Sequence, residues 1–550
     1  MKYDVCIVGS GAGAGPVAYE LALAGKKVVM LEKGDFYREG DFSKDEIAFC
    51  RRSIITPDLR EEYHMIEEKI EGRWRARSTY ELGWDFWNGN IVGGSSNLMS
   101  GFFHRLHPRD FRLASSFGAI EGANVVDWPI SYADLEPYYA KVERVVGVSG
   151  RVTPFRFQEP RSTADFPYPP TQEQPVSQLI DRACKALGIV SVRTPRAILS
   201  RPKGARDACY YSNYCGSYGC SSGAKGSARA SLLQPALRSG NLTILTDHHV
   251  KRLETDKEGK VTAAVCVHAG KEVEIGAKLF VVAAQAMETS RLLLNSRSAA
   301  FPDGVANRSG QVGKNMLFSA GGVVSGDLDE KILPRKALFA EGLFVNRTIK
   351  DWYFLDAKTK GGISEAIYEH ANPIVKANRT KWAPDGDLLW GRKLQERLLE
   401  RFTQKRNLQF EIFNDWLPND DCFVTIDEAH RDKYDMPVAK LRIGSHPQNE
   451  KIGNILADKT VKVLEQIGAT DIRTAIGPYP PQNLQAGGCR FGDDPEHSVL
   501  DRNCRAHEVE NLYITDGSFM PTGGSVPYTW TIYANAFRVA DIIKRRLGVL

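Results

Sequence analysis

The residues with the clearest chemical use lie near the start of the chain. Gly9-Ser10-Gly11-Ala12-Gly13-Ala14-Gly15 is followed by Glu32, which ends the apolar run Lys27-Val28-Val29-Met30-Leu31. Glycine at this density lets a backbone turn tightly and lets phosphate oxygens approach its N–H groups. An acid placed after a second strand can accept hydrogen bonds from the ribose hydroxyls of an adenosine. Together these residues describe a site for a dinucleotide.

Three elements must hold that site. Tyr3 to Val8 forms a buried run that predicts a central parallel strand, Pro16 to Ala24 predicts a helix, and Lys27 to Glu32 a second strand. In that frame Gly9 takes the tight turn and Gly11 admits the pyrophosphate. Ala14 or Gly15 lets the helix pack closely, and the helix start offers the N–H groups of Ala12 and Gly13. The strand–turn–helix–strand context makes the glycines specific, since a glycine triplet alone is a common surface turn. A second loop, Gly89-Asn90-Ile91-Val92-Gly93-Gly94-Ser95-Ser96-Asn97, suits a backbone wrapped around a flat ring or a phosphate. Near the C-terminus, Asn511 to Ile514 reads as a strand leading to Asp516-Gly517. The loop Pro521 to Pro527 then opens a helix from Tyr528 to Arg546 whose apolar face includes Ala534, Phe537, Val539, Ile542 and Ile543. Asp516 either binds a ribityl hydroxyl or caps a turn. These additional cofactor-facing segments favour FAD over a nicotinamide nucleotide.

Bulk composition sets limits on the rest. The 550 residues are 42% hydrophobic, enough for at least two domains. The 72 Lys and Arg against 67 Asp and Glu leave a net charge of +5, with no dense basic stripe to track nucleic acid. No secretory leader precedes the first strand, no stretch reaches membrane-spanning length, and a cytoplasmic location with reduced cysteines is expected. Cys209, Cys215 and Cys220 invite a zinc or iron–sulfur reading, but three ligands at these spacings match neither pattern, so no metal is expected. His248 and His249 precede a strand and look structural. His104 and His107 follow the second glycine loop and are candidates for touching a substrate.

These motifs, in this order, resemble the glucose–methanol–choline (GMC) oxidoreductase family, particularly its bacterial sugar and sugar-acid dehydrogenase branch. The resemblance rests on the first glycine turn and Glu32, on Gly93-Gly94-Ser95-Ser96, and on Cys215 to Lys225. It continues in Val281 to Thr289, where members often have Gly in place of Gln285, in Val312 to Met316, in Gly487 to Gly492, and in Asn511 to Arg538. It implies an α/β chain with a Rossmann-like FAD-binding domain of the p-hydroxybenzoate-hydroxylase type. That domain would be drawn from residues 1–110, 205–325 and 476–550. A second, α+β substrate domain on an antiparallel sheet would come from 111–204 and 326–475, where Cys422 to Asp427 and Ala439 to Ile443 look like strands. The implied cofactor-facing positions are Gly9, Gly11, Ala12, Gly13, Ala14, Glu32, Lys33, Gly93, Gly94, Ser95, Ser96, Asn97, Val250, Ala284, Asp516, Gly517, Pro527, Tyr528 and Thr529.

The resemblance also exposes a departure. Members usually carry a catalytic histidine where this chain has Leu484, and a second His or Asn where it has Pro527; residues 471 to 496 contain no histidine at all. Leucine and proline cannot move a proton, and a positioned base is worth about 10²–10⁴-fold in such a step. Tyr528, Gln485, His104 and His107 are therefore the candidate catalytic or orienting residues. Three readings follow: oxidation of a CH–OH group with the base supplied from elsewhere, oxidation of a C–N or activated C–H bond, or a flavin-binding protein without that chemistry. Members with a histidyl–flavin bond place the histidine at what is here Leu98, so FAD is expected to be non-covalent. The substrate is expected to be a small molecule. Oxygen, a quinone and a protein remain open as electron acceptors.

Overall fold

The continuous apolar run at Val5-Cys6-Ile7-Val8 is fully buried, as a strand covered on both faces requires. In the computed structural model, which describes residues 2–50, 55–383 and 386–549, this strand (Tyr3–Val8) is central in a parallel sheet. It pairs with Val28–Leu31 on one side and with Lys271–Val282 on the other; Leu242–Leu245 and Leu512–Ile514 extend the sheet outward. Lys271–Val282 is long enough to serve two sheets. Its second half joins the parallel sheet, and its first half pairs antiparallel with Val261–His268 and, through it, His249–Thr255. Small residues let helices approach: Gly15 of the Ala14–Leu23 helix lies where a Cβ would sit 2.9 Å from Ala228, and a Cβ on Gly13 would strike the backbone of Thr515 and Asp516. Close packing of the first helix thus falls to Gly13 and Gly15.

A second sheet has six antiparallel strands in the order Thr470–Ile476, Ser319–Leu328, Arg406–Asp415, Gly362–Tyr368, Arg347–Ile349, Ser191–Arg193. The helices Pro447–Ile467 and Val176–Ala186 contribute Ile452, Leu456, Val463, Leu464, Ile180 and Cys184 to its own apolar core. Ser319–Leu328 spans the division expected at 325 and 326 and pairs along its whole length with Arg406–Asp415. The Cys422–Arg431 and Pro437–Ile443 strands do not join this sheet. They form a separate four-stranded sheet with Met65–Ile70 and Arg73–Ser78, because Pro437–Ile443 finds a parallel partner in Met65–Ile70.

No helix among the described residues is long and apolar enough to cross a membrane. All ten cysteines are free thiols, and among the described residues no group of three or more His, Cys, Asp or Glu is placed to hold a metal ion.

A buried charge cluster clasps the segments around the C-terminal loop. Lys360 Nζ lies 2.5 Å from Asp110 Oδ1 and 2.6 Å from Asp415 Oδ2; Tyr353 donates to Asp110, and Ser525 donates to the Gly361 carbonyl. Removing one member of such a cluster strands the others without solvent. Lys360→Ala should therefore lower unfolding stability by about 3–5 kcal/mol in denaturant titration. A loss under about 1 kcal/mol, the size of an exposed ion pair, would show the clasp to be unimportant.

Candidate active site

Both glycine loops, the end of the second strand and the last helix meet around one cavity of about 340 Å³. At one end it is lined by Gly9, Ser10, Gly11, Ala12 and Gly13. Gly9 has φ +89°, and a Cβ there would strike the Ala283 carbonyl, so only glycine makes this turn. A Cβ on Gly11 meets nothing within 4 Å, which leaves open space beside the backbone at the start of the helix. That helix has no side-chain cap, so its N-terminus is available to an anion.

Glu32 is buried at the same end. Its carboxylate accepts hydrogen bonds from Ser10 Oγ at 2.5 Å and Gly34 N at 2.9 Å, while Ser10 Oγ accepts from Gly93 N at 2.9 Å. One hydrogen-bonded chain thereby fixes the second strand, the first glycine turn and the second glycine turn. Burial pushes the Glu32 carboxyl above its ordinary pKa, with the two hydrogen bonds opposing that shift. His248 and His249, which look structural from sequence, also line the cavity. His249 stacks on Tyr434 at 4.0 Å, and burial pushes its pKa down to about 3, so it is a neutral ring.

Of the expected cofactor positions, Gly9, Gly11, Ala12, Gly13, Glu32, Lys33, Gly94, Ser95, Ser96, Val250, Ala284, Asp516, Gly517, Pro527, Tyr528 and Thr529 line the cavity. Three do not. Ala14 is buried inside its helix. A Cβ on Gly93 would strike Arg229, so its smallness serves packing. Asn97 turns its side chain onto the Val92 and Gly94 carbonyls and holds the loop from behind. Asp516 lines the cavity, but its oxygens already accept from Ser518 N, Ser518 Oγ, Gln285 N and Thr289 Oγ1. Those donors use a carboxylate's roughly four acceptor sites, so it acts as a turn cap rather than a ribityl ligand. Lys225 is buried, with its ammonium on the Asn97, Cys215 and Tyr218 carbonyls, and so braces this loop.

The other end of the cavity is lined by Phe86, Trp87, Met99 to Phe102, Ser217, His370, Glu411, Phe413, Asn483, Leu484, Gln485 and Tyr528. Leu484 has φ +59°. Its carbonyl accepts a hydrogen bond from the Tyr528 hydroxyl. Tyr528 is fully buried, and burial pushes its pKa well above the ordinary tyrosine value. Gln485 donates to the Phe86 and Gln482 carbonyls and accepts from Gln285 Nε2, and Gln285 Oε1 in turn accepts from Met287 N and Glu288 N. The chain begins at obligate donors and ends at obligate acceptors, so both amides have a fixed orientation. It leaves one N–H on Gln285 and one lone pair on Gln485. Gln285 holds φ +85° and ψ +147°, a region that side-chain-bearing residues enter at a cost of about 1–3 kcal/mol.

The histidines expected to help are elsewhere. His104 Nε2 is 2.9 Å from Glu365 Oε2, both are fully buried, and Glu365 is also bound by Thr194 and Thr348. His107 Nδ1 caps the short turn Pro108–Arg112 by accepting from Arg109 N, with its ring against Phe354. Neither lines the cavity, and burial lowers the pKa of both. The cavity lining instead includes His370 and Glu411, which the sequence did not single out. Glu411 had a visible signal: it is a charged residue inside the strand run Leu408-Gln409-Phe410-Glu411-Ile412-Phe413 and shares a face with Phe413. His370 lies just past the end of the neighbouring strand and carried none.

The open backbone at Gly11, the uncapped helix start and the buried acid of Glu32 fit the diphosphate and ribose of FAD. Replacing Glu32 by Ala should weaken FAD binding by about 1.5–3 kcal/mol in a fluorescence titration of apoprotein, the size of a charge-assisted hydrogen bond. Unchanged affinity would mean that Glu32 serves only to order Ser10 and Gly34.

Comparison with known proteins shows the family. The family models described as GMC oxidoreductase match residues 84–318 and 418–536. The chain is 31% identical to 6'''-hydroxyparomomycin C oxidase of Streptomyces lividus, covering 99% of this chain and 92% of that protein. It is 30% identical to paromamine 6'-oxidase of Streptomyces fradiae, covering 98% and 91%. It is 26% identical to the fructose dehydrogenase large subunit of Gluconobacter japonicus, covering 100% and 98%. Among solved structures, pyridoxine 4-oxidase from Mesorbium loti superposes with a TM-score of 0.63 at 16% identity, covering 99% of each chain, which shows a shared fold. The chain belongs to the GMC oxidoreductase family and is an FAD-dependent oxidoreductase.

Proposed function

We propose that this enzyme oxidises a CH–OH group of a polyol, sugar or aminosugar, with FAD held non-covalently and a proton acceptor outside the family's usual positions. The observation that carries this reading is the single cavity. Its lining joins Glu32 with a hydrogen-bonded amide pair, Gln285 and Gln485, and with His370 and Glu411. The names of the relatives point to hydroxyl-bearing substrates, including aminoglycosides and fructose. Leu98 supports non-covalent attachment, since it offers no nucleophile at the position where a flavin bond would form. Free thiols throughout are in keeping with a cytoplasmic setting.

Bound FAD supplies the two-electron acceptor; the protein must orient the carbon and take up the hydroxyl proton. The free N–H of Gln285 and the free lone pair of Gln485 match a hydroxyl, which both accepts and donates. Phe413, Phe86 and Leu484 exclude water from beside the reacting carbon. Glu32 is engaged at the far end, Asp516 is saturated, and the Tyr528 proton is held on a carbonyl. We assign proton uptake to His370, because it lines the cavity and an imidazole nitrogen is the commonest general base in such steps. Glu411 is its companion on the same wall. A second reading, oxidation at a C–N bond, is favoured by Leu484 and Pro527, since a neutral amine has no hydroxyl proton to remove.

The test is anaerobic bleaching of the flavin by paromamine, fructose, 2-methyl-1,2-propanediol and an amine lacking hydroxyls, after acid precipitation has confirmed release of the yellow cofactor. A hydroxyl substrate should bleach the flavin. His370→Asn should slow that reduction by about 10²–10⁴-fold with FAD retained, and Tyr528→Phe by less than about tenfold. Bleaching by the amine alone would replace the first reading with the second. Wild-type rates in His370→Asn would remove His370 from the chemistry.

A further inference from the structure

Exposed apolar side chains concentrate in one segment of this protein. Among the described residues, the exposed large hydrophobics include Ile374, Trp382, Leu388, Trp390, Leu399 and Phe402, all within one short excursion between the Gly362–Tyr368 and Arg406–Asp415 strands. Trp390 is 79% exposed and Trp382 51%. Exposed apolar side chains concentrated in one short segment mark an interaction site, whereas single exposed residues need no explanation. Ile47, 72% exposed, lies beside it, because Glu46 accepts from Ile374 N and Val375 N at the start of the Pro373–Thr380 helix.

The second helix of the excursion, Gly391–Thr403, explains why the apolar groups stay outside. None of its thirteen residues is buried. It is held to the six-stranded sheet by ion pairs rather than by an apolar face: Arg401 sits 2.6 Å from Asp327, and Arg397 sits 3.1 Å from Asp471. Those arginines are four positions apart and share one side of the helix. Arg392 and Leu399, seven apart, share the side away from them. Attachment through polar groups thus turns Leu399 outward with a cation beside it.

Charge identifies what this surface meets. Residues 373–405 carry eight Lys and Arg against four Asp and Glu, a net +4 in a chain whose total is +5. Arg379, Lys381, Arg392 and Lys393 have no carboxylate partner among the described residues. Lys381 lies over the Trp382 ring. Tryptophan, leucine and phenylalanine interleaved with unpaired Lys and Arg are the side chains of an interfacial element, whose rings sit at the headgroup level while the cations meet anionic lipid. A second copy of the chain is disfavoured, since a two-fold contact would set this positive surface against itself. The elements are too short to insert across a bilayer, so contact is confined to one leaflet.

We propose that the Pro373–Thr380 and Gly391–Thr403 helices dock the enzyme peripherally on an anionic membrane surface, with Trp382, Trp390, Leu399 and Phe402 entering the interface and Arg379, Lys381, Arg392 and Lys393 meeting the headgroups. The pair begins three residues after His370, which lines the cavity, so the docked surface borders the reacting end. This inference is independent of the substrate assigned above.

The test is sedimentation of the holoenzyme with vesicles of phosphatidylcholine alone and of phosphatidylcholine mixed with phosphatidylserine. The protein should bind the mixed vesicles and release them as salt is raised. Trp382→Ser with Trp390→Ser should weaken binding by about tenfold or more, and Arg392→Glu with Lys393→Glu should weaken it similarly. These positions are solvent-exposed, so both variants should keep the parent's flavin absorbance and melting temperature, which shows that the lost binding is not lost folding. Failure to bind the mixed vesicles, or binding that ignores both pairs of substitutions, overturns the proposal. So does concentration-dependent self-association that the tryptophan substitutions abolish, because the face would then join two copies of the chain.

Discussion

The structure turns on how closely three stretches of backbone approach one another around Glu32. Its carboxylate binds Ser10, and Ser10 binds Gly93, so the end of the second strand, the first turn and the second turn share one short hydrogen-bonded chain. The approach is possible only because the meeting points lack side chains. A Cβ on Gly34 would fall on the Asn90 backbone, and one on Gly94 would reach Gly11. The parallel sheet supplies the register that brings these turns to one edge, as open α/β sheets bind ligands beyond the carboxyl ends of their strands. Everything toward the reacting end depends on this anchorage, because it sets where a dinucleotide begins and hence how far along the cavity its ring extends.

At the reacting end the chain has rebuilt a wall rather than left a gap. With leucine at 484, the main-chain carbonyl of that residue takes the Tyr528 hydroxyl, and the neighbouring Gln485 is held by Gln285. Gln285 pays for that contact with a backbone conformation suited to glycine, offset by capping the Ala286–Asn295 helix. Strain that persists because the surroundings over-determine it is a feature of functional sites. The six-stranded sheet brings Glu411 to the same cavity, and His370 follows the end of its neighbour strand.

Local elements were legible in the sequence wherever chemistry and spacing act over a short range. The Tyr3–Val8 strand, the glycine turn, Glu32 and the last helix follow from periodicity and glycine placement, and they appear within a residue or two of the expected bounds. Sequence could not show which strands pair across long separations. Pro437–Ile443 joins Met65–Ile70 across more than half the chain, and Ser319–Leu328 joins the antiparallel sheet although it follows the Rossmann segment. Side-chain direction was equally hidden. His104 and His107 lie close in sequence to the second glycine loop, but one turns into a buried carboxylate and the other into its own backbone. His370 reaches the cavity only because a strand ends beside it, a fact set by sheet geometry and not by neighbours in sequence.

The account stands on the claim that the Glu32 end holds the adenosine half of the cofactor. Titration of flavin-free protein with FAD and with FMN measures this most directly, because FMN shares the ring and the ribityl phosphate but lacks that half. The account predicts that FAD binds more tightly by about 3 kcal/mol or more, the sum of at least two hydrogen bonds to charged or helix-end groups. Equal affinity for the two would contradict it, since the Glu32–Ser10–Gly93 chain would then order the fold without contacting the ligand.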